Sequence, residues 1–224
     1  MSEEIKVNAP QEDVNELRKV RVDKLEALQA ADKDPFVITK YDQTHHSAVI
    51  KESYEELEGK TVRVAGRMMS KRIMGKASFC NIQDLKGNIQ SYVARDSLGE
   101  EEYKDFKKLD IGDILGAEGE VFTTQTGEIS VRVSKLTLLS KSLLPLPEKF
   151  HGLTDVEERY RRRYLDLIMN DTSKSVAFMR PKMIRSIQEY LDKNGFVEVE
   201  TSMLSPILGG ASARPFVTHH NTLD

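Results

Sequence analysis

A short basic stretch contains the first residues that could bind a ligand. Residues 60–84 contain one acid, Asp84, and six bases, namely Lys60, Arg63, Arg67, Lys71, Arg72 and Lys76. The whole 224-residue chain has a net charge of −3, so this local excess of positive charge indicates a polyanion partner at one place. A solvated strand face is the alternative interpretation.

Phe79 and Gln90, in two predicted strands after the first bases, could bind a nucleobase. An aromatic ring stacks on any base, at about 1–3 kcal/mol per base. An amide both donates to and accepts from a base edge, which gives selectivity. Arg72 is predicted in the loop between the first two strands. A core position remains the alternative for Phe79, because strand alternation alone does not exclude it.

A glycine pair near the end of the sequence forms the second candidate. Gly209 and Gly210 allow close approach of the backbone to a small polar ligand, although an ordinary turn would use them as well. The sequence has one cysteine, Cys80, and His219-His220 has no second ligand cluster nearby. No nucleophile pattern or phosphate loop is present, so no catalytic or metal-binding residue is predicted.

The elements that position the first candidates alternate between helices and strands. The hydrophobic spacing predicts helices over Pro10–Ala30 and Thr44–Leu57, the second with Thr44 as N-cap. Three strands, a helix over Ser97–Leu109 and two further strands then follow in about 80 residues. This is the order of an OB-fold, a five-stranded barrel with a helix between its third and fourth strands. Gly66 suits a bend in the first strand.

The remaining third of the sequence predicts further helices. Thr154 and Glu157 form a capping box at the start of one helix. A second helix includes Met183–Leu191 and ends at Gly195, and Phe196–Thr201 is predicted as a short strand. Pro181 should start the regular part of the second helix or kink it.

Six segments together resemble a known family. They are GRMMSKRIMGKASFCNIQD, GNIQSYVARD, TQTGEIS, RYRRRYLDL, GFVEVET and GGASARPFVTHHN. The chain closely resembles the N-terminal portion of the lysyl-tRNA synthetases, which are class II, subgroup b aminoacyl-tRNA synthetases. The resemblance covers nearly all 224 residues.

The resemblance implies an α+β fold in four parts. These are an N-terminal helical extension (1–59), an anticodon-binding OB-fold (60–142), a linker and helix (143–171), and the truncated start of a class II antiparallel-sheet catalytic domain (172–224). Motif 1, which builds the dimer interface in this class, would be the helix Met183–Asn194 and the strand Phe196–Thr201. Ser202 stands where motif 1 usually has a proline and Pro181 where it has a helical residue, which leaves dimerisation open.

The resemblance also implies roles for individual residues. Phe79 would stack on the central uridine of the lysine anticodon, and Gln90 would recognise the edge of that base. Arg72 and Glu128 would complete the anticodon contacts, although Glu128 could equally be a solvated charge at a hairpin tip. Gly209, Gly210 and Ala211 would lie against the lysine substrate through backbone contacts.

The implied activity is the ATP- and magnesium-dependent ligation of lysine to its tRNA in the cytoplasm. Motifs 2 and 3 of the family lie beyond the position of Asp224. We therefore expect the 224-residue chain to bind the tRNA anticodon, to bind lysine weakly if at all, to bind neither ATP nor magnesium well, and to be catalytically inactive by itself. A standalone, non-catalytic nucleic-acid-binding protein is the alternative.

Overall fold

The computed structural model describes residues 11–147, 153–201, 218–219 and 221–222, in two compact units, Met1–Glu148 and Lys149–Asp224. The helices of the first unit are α1 (Gln11–Ala30), a 3-10 helix (Pro35–Val37), α2 (Ser47–Glu52), α3 (Tyr54–Leu57), α4 (Arg95–Leu98) and α5 (Glu100–Lys108). Its strands are β1 (Thr61–Met74), β2 (Ala77–Gln83), β3 (Asn88–Ala94), β4 (Ile114–Thr123) and β5 (Ile129–Ser140). The second unit contains α6 (Val156–Arg161), α7 (Arg163–Met169) and α8 (Asp171–Lys193).

The five strands form a closed barrel in the order β1-β2-β3-β5-β4. The β3–β5 pair is parallel and the other pairs are antiparallel. The alternation of each strand sends one set of side chains into the barrel and the other outward. This arrangement confirms the OB-fold that the element order predicts.

The barrel core is built from the inward-facing side chains of all five strands. Its fully buried members include Val62, Val64, Met68, Ile82, Ile89, Val93, Leu115, Val121, Val131 and Val133. Tyr103 and Phe106 of α5 pack into the same cluster. The predicted helix over Ser97–Leu109 is in fact two helices, because Gly99 adopts a positive φ of 102° between α4 and α5.

Gly66 allows β1 to bend between its two neighbouring strands. β1 pairs with β4 over its first half and with β2 over its second half. A Cβ atom at Gly66 would lie 2.3 Å from the carbonyl oxygen of Gln83 and 2.8 Å from Cγ2 of Ile82. Only glycine fits this contact, as the mid-strand position predicts.

The predicted helix over Thr44–Leu57 is wrong at its start and in its continuity. Thr44 pairs with β1 instead of capping a helix: its N–H donates to the Arg63 carbonyl at 2.9 Å, and its Oγ1 accepts from Arg63 N at 2.9 Å. The helix begins at Ser47 and is interrupted at Ser53. Pairing with an exposed strand therefore prevails over local helix propensity here.

The second unit has Asp166 of α7 as its buried polar centre. Oδ1 of Asp166 accepts from Arg159 Nε at 2.8 Å and from Asn170 Nδ2 at 2.6 Å, and Oδ2 accepts from Arg163 Nη1 at 2.6 Å. Burial works to raise the pKa of this carboxyl, but the hydrogen bonds from Asn170, Ser173 and Arg159, with the charge of Arg159, hold the pKa at about 2. The carboxylate thus ties α6, α7 and α8 together.

Three expectations for the second unit need correction. The N-cap of α6 is Asp155, which accepts from Glu158 N, and not Thr154. The helix α8 begins at Asp171 and continues through Pro181, so Pro181 does not start its regular part. Residues 196–201 are not a strand, because none of the residues that the structure describes pairs with them. Among the described helices, none has the length and apolar character needed to cross a membrane.

Candidate nucleic-acid interface

One row of outward-facing side chains crosses the barrel from β1 to β4. The cross-strand partners in this row are Arg72, Phe79, Tyr92, Arg132 and Glu120, in that order. We call it the outer row. It contains two neighbouring aromatic rings with a guanidinium group on each side, which is the combination of stacking and positive charge that single-stranded nucleic acids require.

A β-bulge in β1 places Arg72 in the outer row. Met68 faces the core opposite Ile82, and the register then shifts by one residue before Ser70. Since side chains alternate along a strand, an unshifted β1 would turn Arg72 toward the core. The extra residue instead pairs Arg72 with Phe79 and leaves it exposed. Arg72 thus lies within β1, and its predicted place in a loop is wrong.

Phe79 belongs to the outward-facing set of β2. Its neighbours Ser78 and Cys80 are buried inside the barrel, whereas Phe79 itself is half-buried on the outer face. Its ring centroid lies 5.2 Å from that of Tyr92 at an interplanar angle of 53°. The Tyr92 ring in turn meets Phe122 of β4 edge-on at 6.1 Å. Phe79 is therefore not a core residue and is available to stack on a ligand.

Gln90 lies in the next outward-facing row. It pairs with Asn81 on β2 and Ser130 on β5. The Ser130 hydroxyl donates to Gln90 Oε1 at 2.9 Å, which fixes the amide group. No acceptor for Gln90 Nε2 is found among the residues that the structure describes. The two N–H donors of the fixed amide can therefore bind an acceptor on a ligand.

Glu128 lies at the tip of the β4–β5 hairpin, after Gly127 with its positive φ of 83°. Its backbone N–H donates to Thr124 Oγ1 at 3.1 Å, and its carboxylate Oε1 lies 3.2 Å from Lys51 Nζ of α2. The side chains of Glu128 and Lys51 are 49% and 41% exposed, so the pair is solvated and open to a ligand.

Asp84, in the β2–β3 turn, holds α2 beside the barrel. Its carboxylate accepts from Ser47 N at 2.6 Å and Ser47 Oγ at 2.7 Å, at the start of α2. It also accepts from the N–H groups of Lys86 and Gly87. Burial works to raise the pKa of Asp84, but these hydrogen bonds prevail and lower it. The charged carboxylate thus positions the helix that carries Lys51.

The basic stretch does not form one continuous surface. Arg67 donates to the Gly112 carbonyl at 2.7 Å, and Lys71 donates to the Lys107 carbonyl at 2.9 Å and to the Leu109 carbonyl at the end of α5. Burial lowers the pKa of both side chains. Arg67 and Lys71 are therefore structural, and only some of the six bases are free to meet a polyanion.

The other candidate residues contribute little to this site. Burial raises the pKa of the Cys80 thiol to about 12, so it is an inert core residue. The described residues contain no group of three or more His, Cys, Asp or Glu side chains arranged to hold a metal ion. Gly209, Gly210 and Ala211 lie outside the described residues.

Four residues of the site are missing from the sequence-based prediction. Tyr92 lies two residues after Gln90 in β3, so strand alternation could have placed it on the same face. Phe122 and Arg132 become neighbours only through the β4–β5 pairing, where the guanidinium carbon lies 4.6 Å from the ring centroid. Lys51 lies in α2, and no local sequence pattern predicts that this helix lies near the tip of the β4–β5 hairpin.

The barrel has the architecture of an OB-fold, and comparison with known families agrees. A family model described as an OB-fold nucleic acid binding domain matches residues 62–139, and one described as tRNA synthetases class II (D, K and N) matches residues 155–224. The chain belongs to the lysine–tRNA ligase family of these class II synthetases.

Curated relatives match almost the whole chain. The lysine–tRNA ligase of Syntrophomonas wolfei subsp. wolfei is 56% identical over 211 residues, which are 94% of this chain and 43% of the relative. That of Clostridium botulinum (strain Langeland) is 52% identical over 218 residues, 97% of this chain and 43% of the relative. That of Clostridium perfringens is 51% identical over 223 residues. The chain thus spans less than half the length of the relatives it matches.

Proposed function

We propose that this chain is the tRNA-binding portion of a lysine–tRNA ligase and that the outer face of its barrel binds the lysine anticodon. The observation that carries the proposal is the exposed Phe79 ring beside the fixed amide of Gln90, on an OB-fold of the lysine–tRNA ligase family. The match of residues 155–224 to the class II synthetase model favours this function over a standalone binding module.

Each anticodon contact has a chemical basis in the site. Phe79 offers its ring face to the central uridine, and the two N–H donors of Gln90 suit the carbonyl acceptors of a uracil edge. The Glu128 carboxylate accepts from a base N–H, and the ion pair with Lys51 orients it. Arg72 donates to a phosphate or a base next to Phe79.

The activity of the whole protein belongs to the same proposal. Lysine is joined to ATP and then transferred to the tRNA, with magnesium neutralising phosphate charge when it is bound. Gly209, Gly210 and Ala211 are proposed to contact lysine. The 224 residues alone should bind tRNA without lysine-dependent ATP–pyrophosphate exchange. The division at residues 59, 142 and 171 and a cytoplasmic location are parts of the proposal too.

Binding of a lysine-type anticodon stem-loop to the 224-residue chain tests the proposal. Phe79→Ala should weaken binding by about 1–3 kcal/mol, a factor of about 5 to 150, because one base loses its stacking partner. Phe36→Ala is the matched control, since Phe36 is an exposed aromatic residue on the 3-10 helix, outside the outer row. It should leave affinity unchanged.

Replacement of the central uridine by cytidine tests the role of Gln90. Cytidine presents an amino donor where uridine presents a carbonyl acceptor, so the wild-type chain should bind it more weakly. Gln90→Ala should reduce this discrimination while keeping the stacking contribution. Equal binding of any loop by the wild-type chain, or no effect of Phe79→Ala, would contradict the proposed function.

A further inference from the structure

Arg132 lies in the outer row beyond the two aromatic rings, on the side away from Arg72. It lies beside Tyr92 on β5, and its guanidinium carbon is 4.6 Å from the centroid of the Phe122 ring. Its Nη1 is 3.7 Å from Oε1 of Glu120, and both side chains are about half exposed (46% and 47%). Neither the sequence pattern nor the anticodon contacts above assign it a role.

The surroundings of Arg132 fix its guanidinium without using its hydrogen-bond donors. The cation–π contact with Phe122 and the attraction of Glu120 restrict the side chain. The separation of 3.7 Å from Glu120 is longer than a hydrogen bond, and no other acceptor is found among the described residues. An ordered guanidinium with unused donors on an exposed face is suited to binding a phosphate.

The outer row is long enough to bind more than one nucleotide. Arg72 and Arg132 are separated by three strand-to-strand steps, which is roughly 14 Å at about 4.8 Å per step. The rings of Phe79 and Tyr92 lie between them, 5.2 Å apart. A strand that stacks one base on Phe79 therefore brings its next nucleotide to Tyr92 and its backbone to Arg132.

We propose that Tyr92, Phe122 and Arg132 form a second nucleotide subsite, in which Arg132 binds a backbone phosphate of the nucleotide next to the one on Phe79. The subsite rests on the proposed function, because it takes the same RNA strand. Phe122 and Glu120 orient Arg132 before the RNA binds. The carboxylate of Glu120 is also the one described negative charge in the outer row, so it opposes the incoming phosphate.

The salt dependence of stem-loop binding measures this phosphate contact. Arg132→Gln keeps a polar side chain over Phe122 and removes the charge. It should weaken binding about 10-fold and reduce the slope of log K against log salt by about 0.7, the value for one phosphate contact to a single strand. Arg132→Lys should restore the slope. Lys135→Gln, an exposed charge removal on the same strand, is the control and should leave the slope unchanged.

Glu120→Gln separates phosphate binding from a structural role of the ion pair. Removal of the opposing carboxylate should strengthen binding about two- to five-fold, with Arg132 still held by Phe122. If the pair only stabilised the barrel, both Glu120→Gln and Arg132→Gln would weaken binding alike. That result would overturn the proposal.

Neutral methylphosphonate linkages in the anticodon loop locate the contact. One linkage next to the central uridine should weaken binding to the wild-type chain and have no effect on Arg132→Gln. Equal effects on both chains at every linkage would overturn the subsite. If Phe79→Ala weakens binding while Arg132→Gln changes neither affinity nor slope, the subsite fails and the proposed function stands. If Phe79→Ala has no effect, the proposed function itself fails.

Discussion

The barrel and the helical unit that follows it bury their apolar residues to very different degrees. All five strands and α5 contribute to one fully buried cluster in the barrel. In the second unit, none of the described residues of α8 is buried, and Met183, Ile187 and Tyr190 are 58–67% exposed. The most buried groups that the structure describes there are Leu153 and the Asp166 carboxylate.

The two units are therefore stabilised by different interactions. A closed barrel satisfies its backbone hydrogen bonds and its apolar inner face within a single stretch of chain. The helices of the second unit are held mainly by the charge network at Asp166, while the apolar side of α8 has no partner among the described residues. The barrel core is thus complete within the described residues, whereas the apolar side of α8 remains exposed among them.

Hydrogen exchange should show the largest difference between the two units. Amides at Ile82 and Val93, within the barrel strands, should exchange several orders of magnitude more slowly than amides at Met183 and Ile187 in α8. Barrel strands open only with global unfolding, whereas a helix without a packed face opens locally. Both sets lie inside regular elements, which controls for intrinsic hydrogen bonding. Equal protection would remove the distinction.

Truncation of one isoleucine in each unit tests the same contrast energetically. Ile82→Ala should lower the free energy of unfolding of the barrel by about 2–5 kcal/mol, because Ile82 is fully buried. Ile187→Ala removes an exposed side chain and introduces a better helix former, so its effect should stay within about 0.5 kcal/mol. Urea unfolding followed by NMR measures both. A large cost at Ile187 would mean that α8 is packed in solution.

The Asp166 network should make the second unit sensitive to acid. Asp166→Asn should destabilise it by about 1–3 kcal/mol near neutral pH, since two arginines lose a buried charged acceptor. The folded pKa of about 2 lies below the ordinary value of 3.8, so this stability is present above pH 3.8 and is lost as the pH falls toward 2. Hydrogen exchange of α7 should therefore differ between the two chains at pH 5 and converge near pH 2.

Glu189→Gln in α8 is the control for that measurement, because Glu189 is an exposed carboxylate of the same unit. It should leave the exchange of α7 unchanged at every pH. A constant difference between wild type and Asp166→Asn down to pH 2 would show that the amide substitution, and not the charge, disturbs the unit.

The exposed ion pair of the barrel should have the smallest effect. Lys51→Ala should change the free energy of unfolding by less than about 1 kcal/mol, since Lys51 and Glu128 are both solvated. Thermal unfolding of the barrel at low and high salt measures it, with Lys60→Ala as an exposed lysine control. If Lys51→Ala lowered the free energy of unfolding as much as Asp166→Asn does, solvent exposure would not explain the different strengths of the two ion-pair networks.

The sequence predicts the barrel well because its signals are local. Strand alternation, glycine-containing turns and the order of the elements are all properties of short segments. The positions of Phe79 and Gln90 in β2 and β3 follow from the same signals. The predicted strand over residues 196–201 fails for the opposite reason: a strand needs a partner, and none of the described residues provides one.

The features of the site that the sequence does not predict depend on contacts between segments that are far apart in the chain. Arg132 meets Phe122 only after β4 and β5 have paired, and Lys51 meets Glu128 across 77 positions of sequence. The placement of Arg72 depends on one register shift in β1, and no residue type in that strand predicts where the shift occurs. Counting charges likewise does not show which bases are free: Lys71 binds the carbonyls at the end of α5.

The register shift in β1 separates the shape of this strand from the identity of the residues that face the ligand. Met69 is the additional residue between two regular stretches of pairing. Its deletion would let Ser70 follow Met68 in regular alternation, so Arg72 would still pair with Phe79 and Lys71 with Cys80. A single-codon deletion at this position would thus remove the local bend of β1 without reorienting any residue of the outer row. Sequence comparisons in this family should therefore treat a gap at position 69 as a change of strand curvature and not as a loss of binding residues.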